Sequence, residues 1–378
     1  MERIVQGNFI SALVAAAVLV SQNAFGAEGP RIVETQSGRI AVETVASGLT
    51  DPWSLAVLPD RRMLVTERAG RIRIVTREGA LSAPLSGVPA VYSSGQGGLL
   101  DIALAPDFAT SRLIYFSFGE PGEGGASTAV ARARLGEDRL LDMTVIFRAV
   151  PKLGGGAHFG SRLAFARDGK LFVTTGERFQ FDPAQDLSTH MGKVLRINGD
   201  GSVPADNPFV GRPNVRPEIW SLGHRNVEGA AIHPETGRLW THEMGPSGGD
   251  ELNVTEAGRN YGWPLVSWGR HYDGRDIPAP PTRPDFAQSI RHWVPVIAPS
   301  GMAFYTGDAI PSWKGNLLIG GMIARSIVRL TLNGEQVTGE ERIPMGGRIR
   351  DVRQGPDGAV YALDESNGII LRLTSSGR

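Results

Sequence analysis

Apolar and polar positions alternate along this chain in short bursts, each closed by a turn rich in Pro, Asp or Gly. Alternation with a period of two marks a half-buried strand, because successive side chains point to opposite faces. The bursts come in pairs. Ser54–Leu58 is followed by Pro59-Asp60-Arg61-Arg62 and then Met63–Glu67. Leu100–Leu104 is followed by Ala105-Pro106-Asp107 and then Leu113–Ser117. The pattern returns at Leu163–Ala166 with Leu171–Thr174, and at Gly229–Ile232 with Arg238–Trp240. It returns again at Gly301–Tyr305 with Asn316–Gly320, and at Ile349–Val352 with Ala359–Leu363.

Several pairs run on into further alternating segments, such as Arg71–Val75, Ile327–Leu330 and Ile369–Leu373. That makes about four strands per unit, recurring roughly every 50 to 70 residues, which is the rhythm of propeller blades. No stretch sustains helical periodicity. A β-sandwich would not explain the unit-by-unit recurrence. The pattern therefore predicts an all-β chain, a six-bladed β-propeller of four-stranded antiparallel blades, with the terminal strands sharing a blade.

Composition narrows the function. Lys+Arg and Asp+Glu both number 39, so the basic footprint of a nucleic-acid binder is missing. Cysteine is absent, which excludes disulfides and thiolate metal centres. Arg3, the apolar run Phe9–Val20 and the small residues Ala24 and Gly26 read as a secretory signal. The expected division is a signal peptide at 1–27 and a single propeller domain at 28–378, in a periplasmic or secreted protein. The alternative for the apolar run is an uncleaved anchor. No later stretch is apolar enough to span a membrane.

A propeller's site normally lies at one end of its channel, on loops that each blade contributes. The loop Gly154-Gly155-Gly156-Ala157-His158-Phe159-Gly160 stands out, because its glycines permit close backbone approach around a single histidine. Comparable loops are Ser93–Leu100, Trp220–Gly229, His242–Asn253, Gly258–Pro264 and Met345–Asp351. Together they supply a potential base, several arginines, amides and an acidic Gly-Pro turn. Arginine pairs bidentately with carboxylates, which suits a planar anionic ligand; the alternative is ordinary salt bridges. The turn around Asp250 and Glu251 offers carbonyls and charge to a hard cation such as calcium; the alternative is a solvated acidic turn.

These loops resemble those of the soluble, quinone-dependent glucose and aldose sugar dehydrogenases. The matching pieces, in order, are Gly95-Gln96-Gly97-Gly98-Leu99-Leu100-Asp101, His158-Phe159-Gly160 and Gly223-His224-Arg225-Asn226. They continue with Glu243-x-Gly245-Pro246-x-x-Gly248-Gly249-Asp250-Glu251, Asn260–Pro264, Ala298–Gly301 and Arg348-Ile349-Arg350-Asp351. The family fold is also a six-bladed propeller.

The resemblance implies pyrroloquinoline quinone (PQQ) and Ca2+ in a pocket at the channel end, and an aldose sugar oxidised at C1 to a lactone. By position, His158 is the implied general base, and Arg225 the group that stabilises charge on the quinone oxygen. Gln96, Asn226, Arg348 and Arg350 join His158 and Arg225 as implied cofactor contacts. Gly245 and Pro246 are the implied carbonyl ligands of the catalytic calcium. Glu251 and Tyr261 are assigned to a second, structural ion, with Asp250 nearby. An electron acceptor is implied but not identified, and the chain is expected as a monomer or homodimer. Two departures stand out. Ala157 replaces an aspartate common in the glucose enzymes, and Ile323 falls where a lysine is expected, with Arg325 a possible substitute. A calcium-dependent lactonase-type hydrolase and a non-enzymatic binding module are the rival readings; the first would need a central cage of acidic and amide side chains.

Overall fold

The computed structural model describes residues 29–377; the expected signal segment lies outside them. Six antiparallel sheets follow one another around a ring. The paired bursts become the two innermost strands of each blade. Pro52–Val57 and Met63–Glu67 open the first blade, and Leu99–Leu104 and Leu113–Gly122 the second. Leu163–Phe165, Val227–Ile232, Pro299–Phe304 and Ile349–Gln354 begin the remaining four. These six first strands touch in cyclic order and line the channel.

Four blades have four strands, as expected. The first has three, and the chain after Arg71–Val75 continues as an irregular segment, bonded through Ser82 N–H to Ile74 O and Leu85 N–H to Ile72 O. The last has five, because Gly38–Ala46 pairs with Ile369–Ser375 and carries Arg31–Thr35 on its outer edge. The ring is thus closed by an early strand joining a late one, which removes two edges.

Each blade-to-blade interface has its own apolar core. Leu55, Met63 and Val65 of the first blade meet Tyr361 and Leu363 of the last, while Trp240 and Leu252 of the fourth meet Ile319 and Val328 of the fifth. A fully buried Leu, Ile or Phe contributes about 1.5–3 kcal/mol, so stability is spread around the ring. Among the described residues no helix is long and apolar enough to cross a membrane.

The middle of the channel is closed by charge. Arg162 Nη1 lies 3.1 Å from Asp101 and 3.2 Å from Asp351. Arg353 reaches the same two carboxylates at 2.7 and 2.9 Å. Arg162 also donates to Glu228 O and Arg350 O and stacks over Trp53. Burial alone would raise the Asp351 carboxyl, but Arg162 and Arg353 hold it below its ordinary range. This plug separates two mouths. The mouth at the far ends of the first strands is a cavity walled by Leu55, Ile102, Ala164, Ala230 and their neighbours. The loops singled out above lie at the other.

Candidate active site

His158 is held from three sides. Its backbone is in the left-handed region, at φ 54°, a costly conformation for a non-glycine residue that the surroundings must enforce. The Gln96 Oε1 accepts its N–H at 2.6 Å. The two glycine loops touch, and a Cβ at Gly95 would come within 2.4 Å of Gly156 O, so glycine is required there. On the far side, Gly160 N–H donates to Asn226 Oδ1 at 3.0 Å.

The imidazole is buried, with Nδ1 3.0 Å from Glu177 Oε1. A carboxylate partner assigns the proton to Nδ1 and leaves Nε2 with its lone pair. Burial pushes the His158 pKa down, the Glu177 hydrogen bond opposes this, and the nearby Arg225 charge lowers it further. Neutral imidazole is therefore the form present at neutral pH. Phe179 stands edge-on to the ring at 5.2 Å, and Tyr272 stacks on Phe179 at 6.1 Å. Both aromatics are exposed. Arg178, Phe179 and Phe181 all have positive φ, so this wall is a strained segment.

Arg225 is buried beside them. Its Nη1 donates to Met244 O at 2.9 Å and Gly245 O at 2.7 Å, and its Nη2 to Tyr272 Oη at 3.2 Å. Asn226 is spent on both ends, since its Nδ2 donates to Glu228 Oε1 at 3.0 Å. Arg350 bridges Glu228 and Glu365, and Arg348 lies 3.5 Å from Glu365. Gln96, His158, Arg225, Asn226, Arg348 and Arg350 thus form one connected network at one mouth.

The acidic turn is organised differently from a simple ligand loop. Asp250 Oδ1 accepts Gly245 N–H at 2.9 Å, and Oδ2 accepts the Ile297 and Ala298 N–H groups at 2.8 and 2.9 Å. Asp250 therefore latches the fourth blade to the fifth, with burial raising its pKa to about 6 against those donors. Glu251 and Tyr261 border a cavity of roughly one water's size, together with Glu243, Gly245 and Pro246. Glu251 pairs across the strands with Glu243. Burial, then the Glu243 and Asp250 charges, push its pKa well up. The Tyr261 hydroxyl is engaged with Val254 O and Glu256 N–H. Among the described residues no set of three or more His, Asp or Glu side chains is arranged to hold a metal.

At the position of the expected lysine, the Ile323 side chain is exposed, and Arg325 is exposed as well. Met322 is the buried neighbour, with Sδ 3.5 Å from Arg348 Nη2. His224, an alternative base, is fully buried between Ser221 and Glu243, at 2.9 Å from each. The sequence reading did not single out Glu177, Glu228, Glu365, Phe179 or Tyr272. For Glu177 a signal existed: it follows Thr174-Thr175-Gly176, where a motif strand leaves the sheet.

The family model for glucose / sorbosone dehydrogenase matches residues 49–372. The aldose sugar dehydrogenase YliI of Escherichia coli is 46% identical over 89% of this chain and 93% of its own. Quinoprotein glucose dehydrogenase B of Acinetobacter calcoaceticus is 30% identical over 96% of this chain and 93% of its own. Among solved structures, the apo form of the soluble aldose sugar dehydrogenase from Escherichia coli is 44% identical, with a TM-score of 0.85 over 89% of this chain and 99% of that one. The PQQ-bound aldose sugar dehydrogenase from Streptomyces coelicolor is 30% identical, with a TM-score of 0.74 over 89% of this chain and 98% of that one. With its ring of six blades and its loop-borne histidine and arginines, the chain belongs to the glucose/sorbosone dehydrogenase family of oxidoreductases.

Proposed function

We propose that the protein oxidises aldose sugars at C1 to lactones, with pyrroloquinoline quinone and calcium as its cofactors. The observation that carries this reading is the pair His158 Nδ1 and Glu177 Oε1, 3.0 Å apart, which leaves Nε2 as a base beside the buried Arg225.

The residues present suit both groups. Among the described residues, the buried Nε of Arg350 has no partner and neither has that of Arg225, so each guanidinium retains a donor for an anionic ligand. The like-charged pair Glu243 and Glu251, set opposite each other beside the Gly245 and Pro246 backbone, suits a hard oxygen-seeking cation. Gln96, Arg225, Arg348 and Arg350 would hold the quinone, Asn226 would brace the loop beneath it, and the Gly245 and Pro246 carbonyls would hold its calcium. Glu251 and the Tyr261 carbonyl would hold a second ion, with Asp250 as the latch behind it. When bound, the quinone supplies the hydride acceptor and calcium its polarisation.

The chain's own part is positioning and proton transfer. His158 Nε2 takes the proton of the sugar's anomeric hydroxyl, and Glu177 stabilises the imidazolium that results. Arg225 offers positive charge where oxyanion character develops. Phe179 and Tyr272 offer aromatic faces to a sugar ring and keep water from the base. The same reading takes 1–27 as an export signal, 28–378 as one propeller domain, and a separate redox partner as the electron acceptor.

The test is reconstitution. The purified chain, given the quinone and calcium, should gain a bound-quinone absorbance band and dye-linked oxidation of glucose, galactose, arabinose or xylose. A bound quinone with no turnover on any aldose would overturn the sugar assignment. Absence of quinone binding would overturn the cofactor and favour a hydrolase or binding module.

A further inference from the structure

Arg225 brings a cation to the carbonyl that the proposed calcium needs. Its Nη1 lies 2.7 Å from Gly245 O and 2.9 Å from Met244 O. Arg225 is 3% exposed, yet its Nε has no partner among the described residues. A guanidinium recognises an acid best when Nε and an Nη donate together to one planar acceptor. Here Nε is unpaired, while the Nη groups face neutral carbonyls and the hydroxyl of Tyr272. The nearby carboxylate of Glu243 is already occupied by His224 and by the Arg225 backbone N–H.

Asp250 fixes the Gly245 N–H, and a Cβ on Gly245 would come within 2.3 Å of the Gly248 and Gly249 backbone, so the turn that presents this carbonyl is closely packed. Two positive groups on one such carbonyl would also repel across a few ångströms in a poorly solvated pocket.

We propose that the Arg225 guanidinium and calcium compete for the Gly245 carbonyl, and that an anionic quinone draws the guanidinium away, so that quinone and calcium bind with positive cooperativity. This rests on the quinone and calcium reading above. Arg225 then has two positions, one bonded to the metal-site carbonyls and one turned to the cofactor. Because binding free energies are linked, the factor by which quinone tightens calcium must equal the factor by which calcium tightens quinone.

Calorimetric titration of chelator-stripped protein with calcium chloride, with and without saturating pyrroloquinoline quinone, reads this without turnover. In the native chain, quinone should tighten one calcium event by at least about tenfold, within the usual range of coupling between sites. Arg225→Met should tighten that event by about tenfold without quinone, and leave quinone less than about threefold further effect. Arg225→Gln should do the same, and circular dichroism confirms that each variant is folded. If both folded variants bind calcium no tighter than the native chain, while quinone still tightens calcium there, the competition is wrong and the cofactor reading stands. If calcium binds to none of the proteins, the metal reading fails and takes this proposal with it.

Discussion

Gln96 and His158 stand 62 positions apart in the chain, yet the Gln96 side-chain carbonyl accepts the His158 backbone N–H at 2.6 Å. The bond spans from the loop before the second blade to the loop before the third. It fixes a histidine whose backbone conformation is intrinsically unfavourable.

Gln96→Ala should therefore act on turnover first. Removal of the acceptor lets the His158 loop relax, and a small misplacement of a base is costly to rate. Turnover should fall by about ten- to a hundredfold at saturating quinone, within the range of general-base effects. Steady-state kinetics alongside a quinone titration would check this; a purely cofactor-binding Gln96 would lower quinone affinity and spare the turnover limit.

His158→Gln should reduce oxidation by at least about a hundredfold. Glutamine keeps size and hydrogen bonding but cannot accept a proton near neutrality. Quinone affinity should change little, measured by absorbance titration. Near-normal turnover would remove His158 from the role of base, and His224 is too enclosed to inherit it.

The pH profile carries a sign. Burial and Arg225 lower the His158 pKa, and Glu177 raises it. A base works when unprotonated, so kcat/KM should fall on the acid side below the ordinary histidine value. Glu177→Gln removes a raising influence and should move that limb to lower pH. Arg225→Met removes a lowering influence and should move it to higher pH. Opposite shifts in the two profiles are the expected result.

Calcium should raise the melting temperature. An ion that binds only the folded chain stabilises by mass action, about 2.7 kcal/mol at a hundredfold excess over Kd. For a domain of this size that corresponds to about 4 °C. Superimposed scanning-calorimetry curves with chelator and with calcium would count against the second, structural ion.

Asp351→Ala should destabilise strongly. It strips a buried partner from both Arg162 and Arg353 in the channel plug. Breaking a buried ion pair from one side costs about 3–5 kcal/mol, measurable as a shift in the denaturant midpoint. Asp351→Asn keeps the shape and some hydrogen bonds and should cost less.

Much of this was legible before the structure. The pairs Ser54–Leu58 with Met63–Glu67 and Ile349–Val352 with Ala359–Leu363 are local signals, because a period of two and a turn are written within a dozen residues. The loops Ser93–Leu100, Gly154–Gly160, Trp220–Gly229 and Met345–Asp351 are legible for the same reason: each leads into an inner strand. What the sequence did not disclose is what depends on closure of the ring. Glu228 and Arg350 meet at 3.2 Å although 122 positions separate them. The partnership of Arg162 with Asp101 and Asp351 draws on three blades and has no local spacing to betray it. Ile323 was placed by register, and a one-residue change of facing puts Met322 against Arg348 instead. Asp250 reads in the sequence as charge for a cation or part of a solvated turn; its three backbone donors come partly from Ile297 and Ala298, beyond any local window.

The pairing of Gly38–Ala46 with Ile369–Ser375 has a consequence for how the molecule is made. A chain emerging from the ribosome offers Gly38–Ala46 long before its partner exists. Throughout that interval Gly38–Ala46 has an unsatisfied hydrogen-bonding edge, open to any neighbouring chain in the same condition. Assembly cannot finish until nearly the whole polypeptide is present, so a chain truncated before Ile369 would lose the fastener of the entire ring and not merely its last blade. Holding the chain unfolded until synthesis is complete would shorten the exposure of that edge to the moment when both halves of the clasp are available.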